Sequence, residues 1–484
     1  MPRTLYALAI PMTRASSTES TRSRTREGHS RSKTRAGHGR KGRYVWRTRM
    51  VEGPESVAIL GAGSLGLTLA YRLCQAGIPC ILFEQSTEPG GLAAGFRIGD
   101  NYLEKFYHHL FRTDHAAIAL IRELDLGSSL VWKKPVAASL YSGRIWPLDS
   151  PLAVLRFQPL TLSQRFRMGA VIAYLKATRN YHRFEKVTAA AWLSHAMGSR
   201  PFSIVWEPLL RAKFGPYADD ILMSWMWARF HYRTAKLGYL RGGFQLLYNQ
   251  LVERVTRLGG RIYFGETVQR VQPLTSGSFR IQTKTGTWEA TRLISTAPTR
   301  ITFQLVKELP ETFTQRYAWN QAYGAHCAIL ELKQQVLPVY WLNITDPGYP
   351  FLAAVEHTNL MPPSDYGGRH LLYLGNYLPH DHPLFTQSDD STIAEFTHAL
   401  PHINPAFNPS WIRDAHIFKA PYAQPIVTAD FAEHIPPHHT PIHGLYIANM
   451  FQVYPQDRGQ SYSIALANRL ASMVLSEIRS TNKR

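Results

Sequence analysis

The residues with the plainest chemical purpose are Gly61, Gly63 and Gly66, within Ser56-Val-Ala-Ile-Leu-Gly-Ala-Gly-Ser-Leu-Gly-Leu-Thr-Leu-Ala-Tyr-Arg-Leu. Glycine at the first place lets a chain leave a strand in a sharp turn. At the second it lets backbone approach a diphosphate, and at the third it lets the following helix lie close on the strand. Ser64, Leu65 and Gly66 open that helix, whose unpaired amides and partial positive charge suit phosphate oxygens. Glu84 ends the apolar run Ile81-Leu-Phe, 18 residues past Gly66, where a carboxylate can accept both hydroxyls of a ribose. An acid there favours a free 2′-hydroxyl, which disfavours NADP and leaves FAD or NAD.

Other side chains could do chemistry beside such a cofactor. Tyr107, His108 and His109 sit in Tyr102-Leu-Glu-Lys-Phe-Tyr-His-His-Leu-Phe-Arg, and a histidine gives or takes a proton near neutral pH. Arg211 and Lys213 end an otherwise apolar helical stretch and could clamp a carboxylate or phosphate of a substrate. The plainer readings are a satisfied or surface histidine pair and a solvated helix end. The His-rich stretch Pro436-Pro-His-His-Thr-Pro-Ile-His lacks ligand spacing, so no metal is expected. Nor is there a nucleophile elbow or a phosphate loop of the Walker type.

The elements around these residues favour FAD. Glu88-Pro-Gly-Gly-Leu-Ala-Ala-Gly-Phe follows the acid, where an NAD dehydrogenase would usually run on to another helix. Its Gly90–Gly91 pair resembles the second fingerprint of the large flavin family that includes amine oxidases, protoporphyrinogen oxidases, phytoene desaturases and UDP-galactopyranose mutases. Further segments resemble that family in order. Tyr239-Leu-Arg-Gly-Gly-Phe-Gln-Leu-Leu opens a helix, and the strand from Gly260 leads to Val268, whose counterpart touches adenine through its backbone. Trp288-Glu-Ala-Thr-Arg-Leu-Ile-Ser-Thr-Ala-Pro resembles the strand leading out of the cofactor domain. Gly444-Leu-Tyr-Ile-Ala-Asn, then Asp457-Arg458-Gly459 and a helix over Tyr462–Ser476, resemble the closing element that covers the flavin and its phosphates.

By the same resemblance, the Tyr107–His109 segment is similar to the mutase stretch that sets a histidine beside the flavin, and Phe418-Lys-Ala-Pro-Tyr brings Lys419 and Tyr422 near the substrate. An ordinary proline-rich loop is the alternative for the last two. Two departures stand out. Leu92 replaces an arginine common in amine oxidases, and Ala448-Asn449 replaces the usual Gly-Asp or Gly-Glu, so that Asp457 or backbone must take over the ribityl contact. No cysteine lies in the closing loop, so covalent flavin attachment is not expected.

Composition agrees with a globular chain of more than one domain: 484 residues, 45% hydrophobic and 18% charged. The formal charge of +20 is concentrated at the start, because residues 1–50 hold 13 Lys and Arg against Glu19 and Glu27. That stretch reads as an organelle transit peptide, as a basic arm for an anionic membrane or, less well, for nucleic acid, or as a start set too early, with Met50 the true beginning. Val57 to Tyr71 is too broken by glycine to span a membrane. Cys74, Cys80 and Cys327 lack metal or redox spacing and read as small buried hydrophobes, in keeping with a reducing, cytoplasmic setting.

The expected class is α/β: a Rossmann-type, glutathione-reductase-like FAD-binding domain with an interleaved α+β substrate domain. The expected cofactor segments are 56–130, 236–300 and 435–476. Residues 131–235 read mainly helical, with segments Leu160–Lys176, Ala189–Met197 and Pro201–Lys213. Residues 301–434 read sheet-rich, for example over Gly324–Leu332 and His370–Leu378. The resemblance implies an FAD-dependent oxidoreductase that takes a hydride from a C–N or C–C bond of a small molecule, with oxygen or a quinone as candidate electron acceptors. The alternatives are a flavin-dependent sugar-nucleotide mutase without net redox and, as a non-enzymatic reading, a flavin-bearing binding protein.

Overall fold

Val57–Leu60 and Cys80–Phe83 are apolar at every position, which suits strands covered on both faces. In the computed structural model, which describes residues 48–50, 55–319 and 321–481, both lie at the centre of a five-stranded parallel sheet. Its order is Arg261–Tyr263, Cys80–Phe83, Val57–Leu60, Arg292–Ser295, Leu445–Ile447. Successive side chains point to opposite faces. Val57, Ile59, Cys80 and Leu82 meet the helices Ser64–Gln75, Gln245–Arg257 and Gln460–Thr481 on one side. Ala58, Leu60, Ile81 and Phe83 meet the antiparallel strands Val268–Pro273, Phe279–Thr283 and Thr287–Ala290 on the other. Trp288 plugs that second layer, edge-on to Phe83 at 5.1 Å between ring centres.

A seven-stranded sheet forms the second body, in the order Ile412–Pro425, Ala322–Leu332, His370–Leu378, Ala353–Glu356, Trp341–Ile344, Ala137–Tyr141, Arg144–Pro147. Its last two strands fall where the sequence suggests helix. Ala137–Tyr141 pairs in parallel with Trp341–Ile344, a partner so distant in the chain that no local pattern announces it. Within residues 131–235, helices begin only at Pro151 and include Leu162–Ala177, Ala189–Met197 and Glu207–Phe214. The stretch Pro201–Lys213 is not one regular helix: a π-helical turn, Phe202–Trp206, precedes Glu207–Phe214.

Of residues 1–50, only Thr48–Met50 is described. It is a strand parallel to Thr287–Ala290. The transit-peptide, basic-arm and early-start readings of residues 1–47 lie outside the described residues. All three cysteines are buried and unpaired. Among the described residues no helix is long and apolar enough to cross a membrane.

Trp288→Ala should lower the unfolding free energy by about 3–5 kcal/mol through the cavity it leaves. Chemical denaturation read by circular dichroism measures this directly.

Candidate active site

The three glycines of the opening turn are needed for different reasons. Gly61 has φ +102°, and a Cβ there would lie 2.5 Å from Thr296 Oγ1. At Gly66 a Cβ would fall 2.0 Å from the Gly61 carbonyl oxygen, so the helix could not pack onto the turn. Gly63 differs. Its φ of −76° and ψ of −177° suit any residue, and a Cβ would meet nothing of the protein closer than 3.9 Å. The fold itself does not demand glycine at 63; a ligand resting on the backbone there would.

A second loop frames the same space. Gly90 (φ +117°) forms a parallel bridge with Gly63 and donates its amide to the Ala62 carbonyl at 2.9 Å. Gly91 (φ +59°) packs so close that a Cβ would be 3.2 Å from Gly63 Cα. Glu84 is buried at the rim, one oxygen accepting from the Ala62 amide at 2.7 Å and the other from Ser86 at 2.8 Å. These bonds aim the carboxylate along the turn.

Helix starts converge on this point. The helix Ser64–Gln75 is entered from Gly63 without a capping side chain, so its first-turn amides stay available. At the start of Gln245–Arg257, by contrast, the Phe244 amide is taken by Glu104 and those of Leu246 and Leu247 by the Gly243 and Phe244 carbonyls. Ser64 Oγ lies 2.7 Å from Tyr248 Oη, and Tyr248 donates to Gln460 Oε1 at 2.6 Å, tying in the start of Gln460–Thr481. Gln460 Nε2 is buried without a partner. Leu65 is buried beside Ser64. Converging helix N-termini, bare backbone and an orphaned amide donor make a diphosphate cradle, and a dinucleotide cofactor fits it.

A family model described as flavin containing amine oxidoreductase matches residues 66–455. The chain belongs to this family. Its cofactor is therefore FAD. Solved structures share the fold at low identity. One is a protein from Exiguobacterium sp. provisionally described as a protoporphyrinogen oxidase, with TM-score 0.72, 16% identity, and coverage of 88% of this chain and 99% of that one. Another is reduced UDP-galactopyranose mutase, with TM-score 0.69, 16% identity, and coverage of 87% and 96%. A third is putrescine oxidase bound to putrescine, with TM-score 0.65, 15% identity, and coverage of 89% and 100%. No curated protein matches the chain by sequence.

For this flavin amine oxidoreductase, the residues that could hold FAD are the two glycine loops, Ser64, Glu84 and the strand start at Val268. Val268 pairs with Thr283 just before an irregularity in the ladder. Gly459 leads directly into the closing helix, its carbonyl accepting from Ser463 at 3.1 Å. Asn449, which replaces the expected acid, is buried and spent on structure: it donates to Ala297 O at 3.0 Å and Thr299 Oγ1 at 3.1 Å, and accepts from Phe451 at 3.1 Å.

Asp457 is not a free acceptor waiting for the ribityl chain, as the sequence suggests. Its Oδ1 accepts from Trp225 Nε1 at 3.3 Å, Gln424 Nε2 at 3.1 Å and the Arg458 amide at 3.1 Å. Its Oδ2 pairs with Arg229 and lies 3.6 Å from Lys213 Nζ. Burial pushes this carboxyl up, but Lys213, Arg229 and Arg458 outweigh it and hold the acid well below its ordinary value. Asp457 is the counter-ion that locks the closing loop to the helical insertion.

The substrate side is a cleft lined by Tyr107, His108, Cys327, Gly375, Tyr377 and Arg458. Arg458 donates to Tyr377 Oη at 2.6 Å, while its buried Nε has no partner. Tyr107 lies edge-on to Trp341 at 4.9 Å and presses on Gly375, where a Cβ would sit 2.7 Å from the Tyr107 ring. His108 Nδ1 donates to the Phe106 carbonyl at 2.6 Å, which leaves Nε2 as an acceptor. Burial lowers the His108 pKa to about 4, so the ring is neutral at physiological pH. His109 instead contacts Tyr340 Oη at 3.1 Å and packs among Phe111 and Trp341, and burial lowers its pKa to about 3. His109 thus reads as a core histidine, and His108 as the cleft histidine.

Three of the four expected substrate residues point elsewhere. Arg211 is exposed and pairs with Glu207 at 3.0 Å and Asp219 at 3.3 Å. Lys213, two residues on and so turned about 200° around the helix, enters the site, with its ammonium 4.5 Å from the Tyr377 ring centre. Burial lowers the Lys213 pKa far below the ordinary lysine value, aided by Arg229 and Arg458 and opposed by Asp457. Lys419 pairs across the sheet with His326, on the face turned away from the cofactor domain, and bonds Gln387 O at 2.9 Å and Asp389 at 3.3 Å. Tyr422 stacks on His380, and it is Gln424, two residues later, that reaches Asp457. Arg229 escaped the sequence reading, though a cation within Met223–Tyr232, an aromatic and apolar helix, was its available signal.

Gly63→Val should fold with an unchanged far-ultraviolet spectrum yet bind FAD at least roughly a hundredfold more weakly, since several charge-assisted bonds to phosphate are lost. Gly66→Val should fail in both respects, and absorbance at the flavin bands with circular dichroism distinguishes the two. Asp457→Asn should cost about 3–5 kcal/mol by leaving three cations uncompensated. Because the folded-state pKa of Asp457 is depressed, that stabilisation is complete above the unfolded carboxyl value of about 3.9 and fades as pH falls below it. Parallel denaturant titrations of parent and variant from neutral to acid pH would record the convergence.

Proposed function

We propose that the protein is an FAD-dependent oxidoreductase that removes a hydride from a C–N or C–C bond of a small molecule bearing an anionic group. The observation carrying this reading is the charge balance of the cleft. Arg229 and Arg458, with Lys213 beside them, face one carboxylate, Asp457, a surplus that attracts a carboxylate or phosphate and repels a protonated amine. When bound, FAD supplies the hydride acceptor, and the protein supplies position, electrostatics and exclusion of water. His108 Nε2 is the proton acceptor in this reading, since its tautomer is set by the Phe106 carbonyl and its ring is neutral. Tyr107 and Tyr377 form the aromatic wall, and Arg458 donates toward the substrate's anionic group. Oxygen or a quinone would complete the turnover.

A second reading, a flavin-dependent sugar-nucleotide mutase without net redox, is favoured by the same cation surplus, which suits a nucleotide diphosphate.

The two separate in one anaerobic cuvette. The redox reading expects flavin absorbance to bleach on adding a carboxylate-bearing amine or porphyrinogen substrate. The mutase reading expects no bleaching, but turnover of a nucleotide sugar after dithionite reduction. In either case Lys213→Met should lower kcat/KM by roughly tenfold to a hundredfold, mostly through KM, as one charge-assisted contact is lost. Bleaching by neutral or dicationic amines with undiminished kcat/KM in Lys213→Met would refute the anionic-substrate reading.

A further inference from the structure

The outer face of the helical insertion is unusual in two respects at once. The helix Leu162–Ala177 starts from a capping box at Thr161, and it buries Met168 and Leu175. Arg165 ties it to the preceding helix, Pro151–Leu155, through the Leu155 and Leu160 carbonyls, both at 2.8 Å. On this fixed frame the solvent side is apolar: Leu162 is 58% exposed, Phe166 59% and, on the neighbouring helix, Leu152 55%. Ala170, Ala173 and Ala177 continue the exposed row at helical spacing. Nothing in the core calls for a large apolar side chain at 162 or 166.

The same region is strongly basic. Residues 151–200 hold eight Lys and Arg but one acid, Glu185. Glu185 is itself engaged by His182 at 2.7 Å and Tyr454 at 2.9 Å. Arg156, Arg167, Lys176 and Arg200 are exposed. A second copy of the chain would bring an equally basic face, and like charges would oppose contact. Nucleic acid would satisfy the cations but not the leucines and phenylalanine. An anionic bilayer satisfies both, with headgroups for the cations and the acyl boundary for the apolar row.

We propose that this face, centred on Leu162 and Phe166, docks on the surface of a membrane rich in anionic lipid, lying on it rather than crossing it. The proposal does not depend on which substrate the cleft takes.

The test uses the full-length, FAD-loaded protein with vesicles of phosphatidylcholine alone or mixed with phosphatidylglycerol. Sedimentation with the mixed vesicles is expected, weakening as salt rises. The pair Leu162→Gln and Phe166→Gln should reduce vesicle affinity by at least about tenfold, with Tm and bound FAD unchanged because both positions are exposed. A Phe166→Trp variant should lose fluorescence on vesicles carrying brominated acyl chains. Three results would overturn the proposal: no binding to anionic vesicles; equal binding by parent and double variant, which would assign attachment to another surface such as residues 1–50; or unquenched Trp fluorescence with a loss of self-association in the double variant, which would assign the face to a second copy.

Discussion

The proposed diphosphate cradle rests on backbone amides that no side chain covers, and the rest of the cofactor domain serves to keep them bare. Gly63 has an ordinary extended conformation and open space around its Cα, so its lack of a side chain gains nothing for the empty fold. Gly61, Gly66, Gly90 and Gly91 are constrained from within, by positive φ or by neighbours closer than a Cβ tolerates. These four hold two loops together so that the fifth can stay open. The link from Ser64 through Tyr248 to Gln460 then fixes the starts of separate helices at one place. Each helix contributes a partial positive charge, and a small displacement of any one of them would break the shared focus.

The site's other half is assembled by charge. Asp457 gathers Lys213 and Arg229 from the helical insertion, Gln424 from the large sheet, and Trp225 besides. A carboxylate so surrounded stays ionised despite burial, and removing it would leave the cations facing one another. Its network therefore adds charge to three parts of the chain that also share one hydrophobic cluster, through Phe214 and Trp225, Tyr323 and Ile426, and Phe451. The cost of this role is that Asp457 has no oxygen to spare for the cofactor, and Asn449, in the usual place of the acid, is also fully engaged. That leaves the backbone around the closing helix start, where Gly459 precedes Gln460, as the proposed partner of the ribityl chain.

How much of this was legible in the sequence followed from whether the signal was local. The strand–turn–helix of the cofactor site was readable because its glycine spacing and apolar runs are set within about 30 residues, the scale of a single βαβ unit. The helix Ala189–Met197 and the strand His370–Leu378 were readable from their own periodicity. Ala137–Tyr141 and Arg144–Pro147 were not, since a short strand is defined by its partner, and here that partner is Trp341–Ile344. Site residues failed for a related reason. Arg211 and Lys213 look alike in sequence, and only the rotation of the helix decides that one faces water and the other Asp457. On the sheet, alternation sends Phe418 toward the cofactor domain, against Phe96, and Lys419 away from it. Residue type could nominate these groups, but register had to choose among them.

The helical insertion shows why that distinction matters for function. Its inward helix ends bring Lys213 and Arg229 to Asp457, beside the cleft residues Tyr377 and Arg458, whereas its outward helix carries Leu162 and Phe166 into solvent. Charges near Asp457 act at short range in a water-poor setting, where each is worth several times its value at the surface. The many exposed Lys and Arg of the same insertion are screened within about 8 Å at physiological salt and can act only on something broad and anionic pressed against them. Two populations of cations within one insertion thus do different work, and burial rather than number separates them. In the proposed function a substrate's single anionic group is read by the inner set, and no increase in the outer set would substitute for the loss of Lys213.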